Sequence, residues 1–322
     1  MRAWRRAVDT RADRIKRALF ICADILINLA VTVLVVWIIK QNVLLINGSD
    51  SMYHVYRGSW ILNEVSSGNT WPLLNQLWYN GVELLRYWPP VAAYFMAFCQ
   101  WLATFIPQLA DTSNVFGGYL IYCGFIYLIG AFSWNIVGFR KKRPLFGAVV
   151  GILWFFMPTG LNVLFNEGNL PRSLIMALFP LVFLFINEYL KNGKKKDFIG
   201  TAVMFFVMAC CHVGYTGMVA IACIIYFIVY RLCCFVGSTR LEKPRHKDLD
   251  LIIAIVAGFL MSGIFLYPAL NGGLISNSGN TDQTAQKFFQ DLFKTLNPAA
   301  KLSDEYKYYY FGQSPKLLCL KV

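Results

Sequence analysis

The chain has 322 residues, 57% hydrophobic and only 15% charged. A soluble domain carries roughly a quarter charged residues and has one or two cores, not serial apolar runs of about 18 to 22 residues, so a soluble globular domain is excluded. The net charge is +13, but the basic residues gather in short patches between apolar runs, as in loops that face the cytoplasm, and this argues against nucleic-acid binding.

An outer-membrane barrel would alternate apolar and polar residues in segments of about ten, and this chain does not. The class is therefore all-α, a polytopic membrane protein. In chain order the apolar segments are 18–39, 90–107, 116–138, 145–160, 173–190, 198–213, 217–236 and 251–270.

A basic tail, residues 1–17, precedes the first segment. That segment is too long for a signal-peptide core, and no small-residue cleavage site follows it. It reads as a retained signal anchor with the N-terminus cytoplasmic. Within it Asp24 and Asn28 stand four apart on one helix face. An acid at membrane depth ordinarily faces the bundle and has a partner. No partner can be named from the sequence, and a position toward the cytoplasmic end also allows snorkelling.

The loop at 40–89 follows. It carries Asp50, His54, Arg57, Glu83 and Arg86 among Trp71, Trp78, Tyr79, Tyr87 and Trp88. Trp and Tyr favour the membrane–water boundary. In a helix Asp50, His54 and Arg57 share one face. An aspartate there serves as a general base or holds a divalent metal, and an arginine grips phosphate oxygens. A capped, solvated helix start gives the same spacing. Glu83 and Arg86, three apart, equally fit a local ion pair of little energy.

Eight spanning segments would put the Arg140–Arg143 and Lys191–Lys196 patches on the outer side. Segment 90–107 begins at Pro89-Pro90 and ends at Pro107. If it is re-entrant or interfacial, seven helices span. The four patches (Arg2–Arg17, Arg140–Arg143, Lys191–Lys196 and Arg231–Lys247) are then cytoplasmic and hold 20 of the 30 Lys and Arg. Losing a different segment, such as 145–160, is the rival arrangement. In the first arrangement the 40–89 loop, the 162–172 loop, the His212 turn and everything after 271 lie outside.

In the 162–172 loop, Gly168 and Pro171 force a turn. Arg172 stands at the N-terminus of the next helix, where backbone N–H groups favour anions, and Glu167 is a second acid. A tight capped loop with a snorkelling arginine accounts for the pattern as well. His212 lies between two short apolar helices. It fits a hydrogen bond to a carbonyl, or a phosphate or metal contact. The nine cysteines show no CxxC spacing and read as helix-packing residues. Residues 272–284 read as a loop and 285–296 as an amphipathic surface helix. The sequence then fades without another span, as a truncated longer protein would. The chain divides into the basic tail 1–17, a transmembrane domain 18–270 and an extracytoplasmic segment 271–322.

The run from Gly48 to Arg57, then Trp71-Pro72-Leu73, Trp78-Tyr79-Asn80-Gly81, Arg86-Tyr87-Trp88-Pro89-Pro90, the Glu167–Arg172 loop and the His212 turn resemble bacterial membrane proteins called 6-pyruvoyl-tetrahydropterin synthase-related. Nothing resembles the zinc-binding histidine set of the soluble pterin enzyme. That family is in turn similar in architecture to C-type (GT-C) glycosyltransferases, which use polyprenyl-phosphate sugars. Asp50 matches the acidic residue of their first outer loop, and Glu167 and Arg172 match a contact in a later one. C-type enzymes generally have more helices, often followed by an outer soluble domain, and these 322 residues stop early by comparison.

The resemblance implies sugar transfer from a polyprenyl-phosphate donor to a cell-envelope acceptor, at the outer face of the plasma membrane. Asp50 and Glu167 would be catalytic. His54, Arg57, Glu83, Arg86, Arg172 and His212 would bind substrate or phosphate. A divalent cation, Mg2+ or Mn2+, would sit at Asp50 if one is used. Membrane lipids are the expected surroundings. The alternatives are a transporter or flippase, and a non-catalytic scaffold of an envelope complex. A transporter would show paired charges at the bilayer midplane and inverted repeats.

Overall fold

A computed structural model describes residues 11–41, 48–78, 81–110, 114–235 and 249–271. The amphipathic segment at 285–296 and most of the Arg231–Lys247 patch lie outside these.

The described residues form thirteen α-helices and one two-stranded hairpin. Helix α1 (Arg11–Gln41) is followed by α2 (Ser51–Ser66), then β1 (Leu74–Asn75) and β2 (Val82–Glu83). The strands pair antiparallel, Leu74 opposite Glu83. Next come α3 (Leu84–Tyr87), α4 (Pro90–Ala103), α5 (Pro107–Ala110) and α6 (Asn114–Arg140). Then follow α7 (Pro144–Leu153), α8 (Pro158–Leu161), α9 (Leu170–Asn192) and α10 (Lys195–Ala209). The described chain ends with α11 (Val213–Phe235), α12 (Leu249–Met261) and α13 (Gly263–Asn271).

Prolines set many of the starts. Pro90, Pro144, Pro158 and Pro171 occupy the first or second helical position, where a missing N–H costs nothing. Asn169 caps α9 by accepting the Arg172 N–H at 3.1 Å, and Gly193 closes it at a φ of 59°. The 40–89 segment is thus more than a loop. It carries a sixteen-residue helix that packs on α4.

Among the described residues four helices are long and apolar enough to cross a membrane: Arg14–Gln41, Val115–Arg140, Leu170–Asn192 and Val213–Cys233. Pro144–Phe156 and Pro158–Asn166, bent by 44°, count as a fifth if they form one broken span. This is fewer than the seven expected. Helix α4 has 14 residues. At about 1.5 Å per residue it falls short of a hydrocarbon core of about 30 Å. The same holds for α10 with 15 residues and α12 with 13. By length alone these three helices fall below the spanning length that the four long helices meet.

The core runs along α6, α9 and α10. Tyr119, Tyr122, Tyr127, Ile175 and Phe205 are fully buried there. Charged groups collect at the end of the bundle where α6 and α9 finish. Arg140 pairs with Asp197 at 3.3 Å, Lys141 with Glu188 at 2.6 Å, and Tyr189 donates to Asp250 at 2.8 Å. Phe20 meets Phe139 at 6.1 Å, so α1 starts at this end too. Two basic patches and the start of α1 therefore share one end, as the positive-inside pattern requires. The starts of α2 and α9 and the His212 turn occupy the other.

Candidate functional site

Two segments far apart in sequence are tied at that other end. Ser49 and Asp50 donate their backbone N–H groups to the carbonyls of Asn166 and Glu167, at 3.2 and 3.1 Å. The Ser49 hydroxyl donates to the same Glu167 carbonyl at 2.9 Å, from 118 positions away in the chain. The backbones approach so closely because both contact residues are glycines, Gly48 and Gly168. Gly168 has a φ of +66°, and a Cβ on it would lie 2.5 Å from the Ser51 nitrogen. A third segment joins through Val91, whose N–H donates to the Cys210 carbonyl at 3.0 Å.

These ties shape a cavity of about 420 Å³. Its walls carry Asp50, His54 and Arg57 of the α2 region, Trp88, Asn169 and Pro171, and His212. Asp50 is the N-cap of α2, yet its side chain makes no capping bond. The exposed carboxylate is therefore not consumed by the capping role that its position allowed. His54 and Arg57 follow on the same helix face, as their spacing predicts.

Arg57 is 9% exposed. Its guanidinium lies 4.3 Å from the Trp88 ring centroid and 5.6 Å from that of Trp78. Its Nε is buried with no hydrogen-bond partner. Burial lowers its pKa to about 10, while Asp50 pulls the other way. The group stays cationic at neutral pH.

Burial, then the charge of Arg57, then His212 push the His54 imidazole down to about 3. Burial and Arg172 also lower His212, opposed by a backbone hydrogen bond. Both rings are therefore neutral at pH 7. His212 accepts the Tyr215 N–H on Nδ1 at 3.1 Å, so its own proton sits on Nε2. The cavity thus offers one delocalised cation, two neutral imidazoles and one carboxylate.

Glu167 and Arg172 stand behind the wall. Arg172 pairs with Glu167 at 2.6 Å and lies 4.7 Å from the Tyr215 ring centroid. Asn162 donates to the other Glu167 oxygen at 3.1 Å. Both side chains brace the loop that presents Asn169 and Pro171. Glu83 and Arg86 are elsewhere. They form an i,i+3 ion pair and line a separate cavity of about 290 Å³ with Trp71, Ile264 and Phe265. Of the eight expected site residues, four converge: Asp50, His54, Arg57 and His212 line one cavity, and Glu83, Arg86, Glu167 and Arg172 do not.

No three His, Cys, Asp or Glu side chains that could hold a metal ion come together among the described residues. Asp50 is the only carboxylate among the cavity's lining residues. The described side chains do not by themselves make a divalent-cation site. Sequence reasoning missed the role of Trp88 as the platform for Arg57. Its place beside Pro89-Pro90, in an aromatic-rich stretch at the membrane boundary, was the available signal.

The model of the 6-pyruvoyl-tetrahydropterin synthase related domain, a membrane-protein family, matches residues 85–321. The match covers well over half the chain, and the protein belongs to that family. It begins at Leu85, so Trp88, Asn169 and His212 fall inside it, and Asp50, His54 and Arg57 precede it. No curated protein and no solved structure matches the chain.

Proposed function

We propose that this is a glycosyltransferase-like membrane enzyme. It takes a sugar from a polyprenyl-phosphate donor and passes it to a cell-envelope acceptor at the outer face of the plasma membrane. The observation that carries the reading is Arg57, a buried cation with an unpartnered Nε, held on Trp88 in a cavity that also contains an uncapped Asp50.

In this reading the acceptor hydroxyl attacks the anomeric carbon of the donor, and the bond from that carbon to the phosphate oxygen breaks. Asp50 takes the hydroxyl proton as general base. The departing polyprenyl phosphate gains negative charge, which Arg57 stabilises from a fixed position. His54 and His212 donate N–H groups to the phosphate while neutral. Glu167, Arg172 and Trp88 act as positioning residues. Membrane lipids surround the helices, and the donor's apolar chain enters from them.

A transfer assay in membranes tests this, with wild type compared to Asp50→Asn at equal expression. Loss of transfer with normal insertion supports the reading. Full transfer by Asp50→Asn removes Asp50 from the chemistry and leaves the transporter and scaffold readings.

A further inference from the structure

Asp24 is 7% exposed within the first membrane-crossing helix. It does not snorkel; it faces α6. Asn28 donates from Nδ2 to Asp24 Oδ1 at 3.1 Å and to the Asp24 carbonyl at 2.9 Å. Asn135 donates from Nδ2 to Asp24 Oδ2 at 2.5 Å. Tyr127 donates to Asn28 Oδ1 at 2.8 Å. Among the described residues no Lys, Arg or His stands within ion-pair distance of Asp24.

Two features of this cluster do not fit a carboxylate. An isolated charge in an apolar interior carries a solvation penalty large enough that the group neutralises instead. Amide donors reduce that penalty and supply no counter-charge. The second feature is Asn135 Oδ1, which is buried with no partner in a residue 5% exposed. It and the Ala131 carbonyl oxygen both face Gly151, where an added Cβ would stand 3.0 Å from the first and 2.8 Å from the second. Turning the Asn135 amide over exchanges its oxygen and nitrogen. Oδ1 then faces Asp24 and accepts a hydrogen from a protonated carboxyl. Nδ2 then faces Gly151 on the side of the Ala131 carbonyl, where a donor suits better than a second acceptor. One added proton resolves both features.

We propose that Asp24 is a proton-binding site inside the membrane, which carries its proton at neutral pH and donates it to the Asn135 amide oxygen. The elements packed on this part of α1 are α6 and α7. From α6 the ionisable groups are Tyr127, itself donating to Asn28, Arg140 further along, which pairs with Asp197, and Tyr119, Tyr122 and Cys123, which lie beyond Gly124 at the level of Thr32 and Val36. Helix α7 has no ionisable side chain. On α1 itself the neighbours are exposed Cys22 and, two turns toward the N-terminus, Arg17. None supplies a cation to the Asp24 oxygens.

Infrared spectroscopy of the full chain in lipid at neutral pH tests this through the C=O stretch of a protonated carboxyl. Wild type carrying 13C-carboxyl aspartate should show that band displaced from its unlabelled position, which assigns it to an aspartate without any substitution. Asp24→Asn, which mimics the neutral acid, should remove it. Asn135→Leu should move it by deleting the acceptor. Absence of any protonated aspartate band in wild type overturns the proposal. So does a band that Asn135→Leu leaves unmoved. If Asp24→Asn fails to insert, the labelled wild type and Asn135→Leu still decide.

Discussion

The Arg57 guanidinium lies 4.3 Å from the centroid of the Trp88 ring, and this pair joins α2 to the start of α4. The aromatic face holds the cation without neutralising it, unlike a carboxylate. An arginine held this way stays available to an incoming anion.

Replacing Trp88 with Ala should therefore weaken anion binding without deleting the charge. A cation–π contact is worth about 0.5 to 2 kcal/mol, so donor affinity should fall roughly two- to thirty-fold. Trp88→Phe should recover part of that loss. Titration of donor lipid against each variant reads the effect.

The approach of Gly48 to Gly168 predicts a stability defect. Gly168→Ala puts a Cβ at φ +66° and 2.5 Å from the Ser51 nitrogen. Left-handed strain alone costs about 1 to 3 kcal/mol, and the clash adds to it. Thermal unfolding in detergent should show a clearly lowered Tm. Gly217→Ala, with nothing near its Cβ and inside α11, is the control and should leave Tm unchanged or raise it slightly.

The histidines predict a pH dependence. His54 has a folded pKa of about 3, below the ordinary value of about 6.5. Between these values the unfolded chain binds a proton that the folded chain refuses. Stability attributable to this site is thus fully kept above about 6.5 and lost progressively as pH falls toward 3. His54→Gln should flatten the acid side of a Tm-versus-pH curve. An unchanged slope would show that the ring is not held neutral.

Glu167 and Asp50 should behave differently. Glu167 is engaged by Arg172 and Asn162, whereas Asp50 makes no capping bond. Glu167→Gln should lower transfer modestly, by less than about tenfold, the equivalent of one ordinary hydrogen bond of about 1 kcal/mol. Asp50→Asn should abolish it. Side-by-side rates in membranes separate a positioning acid from a reacting one.

Much of this was legible in the sequence because it depends on local periodicity. The membrane class followed from apolar runs, and the shared face of Asp50, His54 and Arg57 followed from helical spacing. Helix ends were less legible. The apolar stretch around α10 continues through Cys210 and Cys211 into the His212 turn, so hydropathy does not mark where the 15-residue helix stops. Long-range pairings were not legible. Nothing local shows that Gly48 meets Gly168, that Trp88 lies over Arg57, or that Asn135 reaches Asp24. Glu83 and Arg86 failed to join the cavity for a similar reason: the hairpin and α3 turn them toward α13. Their closeness in sequence to Trp88 did not survive that turn.

The most direct measurement is equilibrium binding of a polyprenyl phosphate to the purified full chain, wild type against Arg57→Gln. A charge-assisted hydrogen bond is worth about 1.5 to 3 kcal/mol, so the account predicts a loss of roughly ten- to a hundred-fold for Arg57→Gln at unchanged Tm. Equal affinity in a folded variant would contradict it, because the buried cation would then not be the phosphate site.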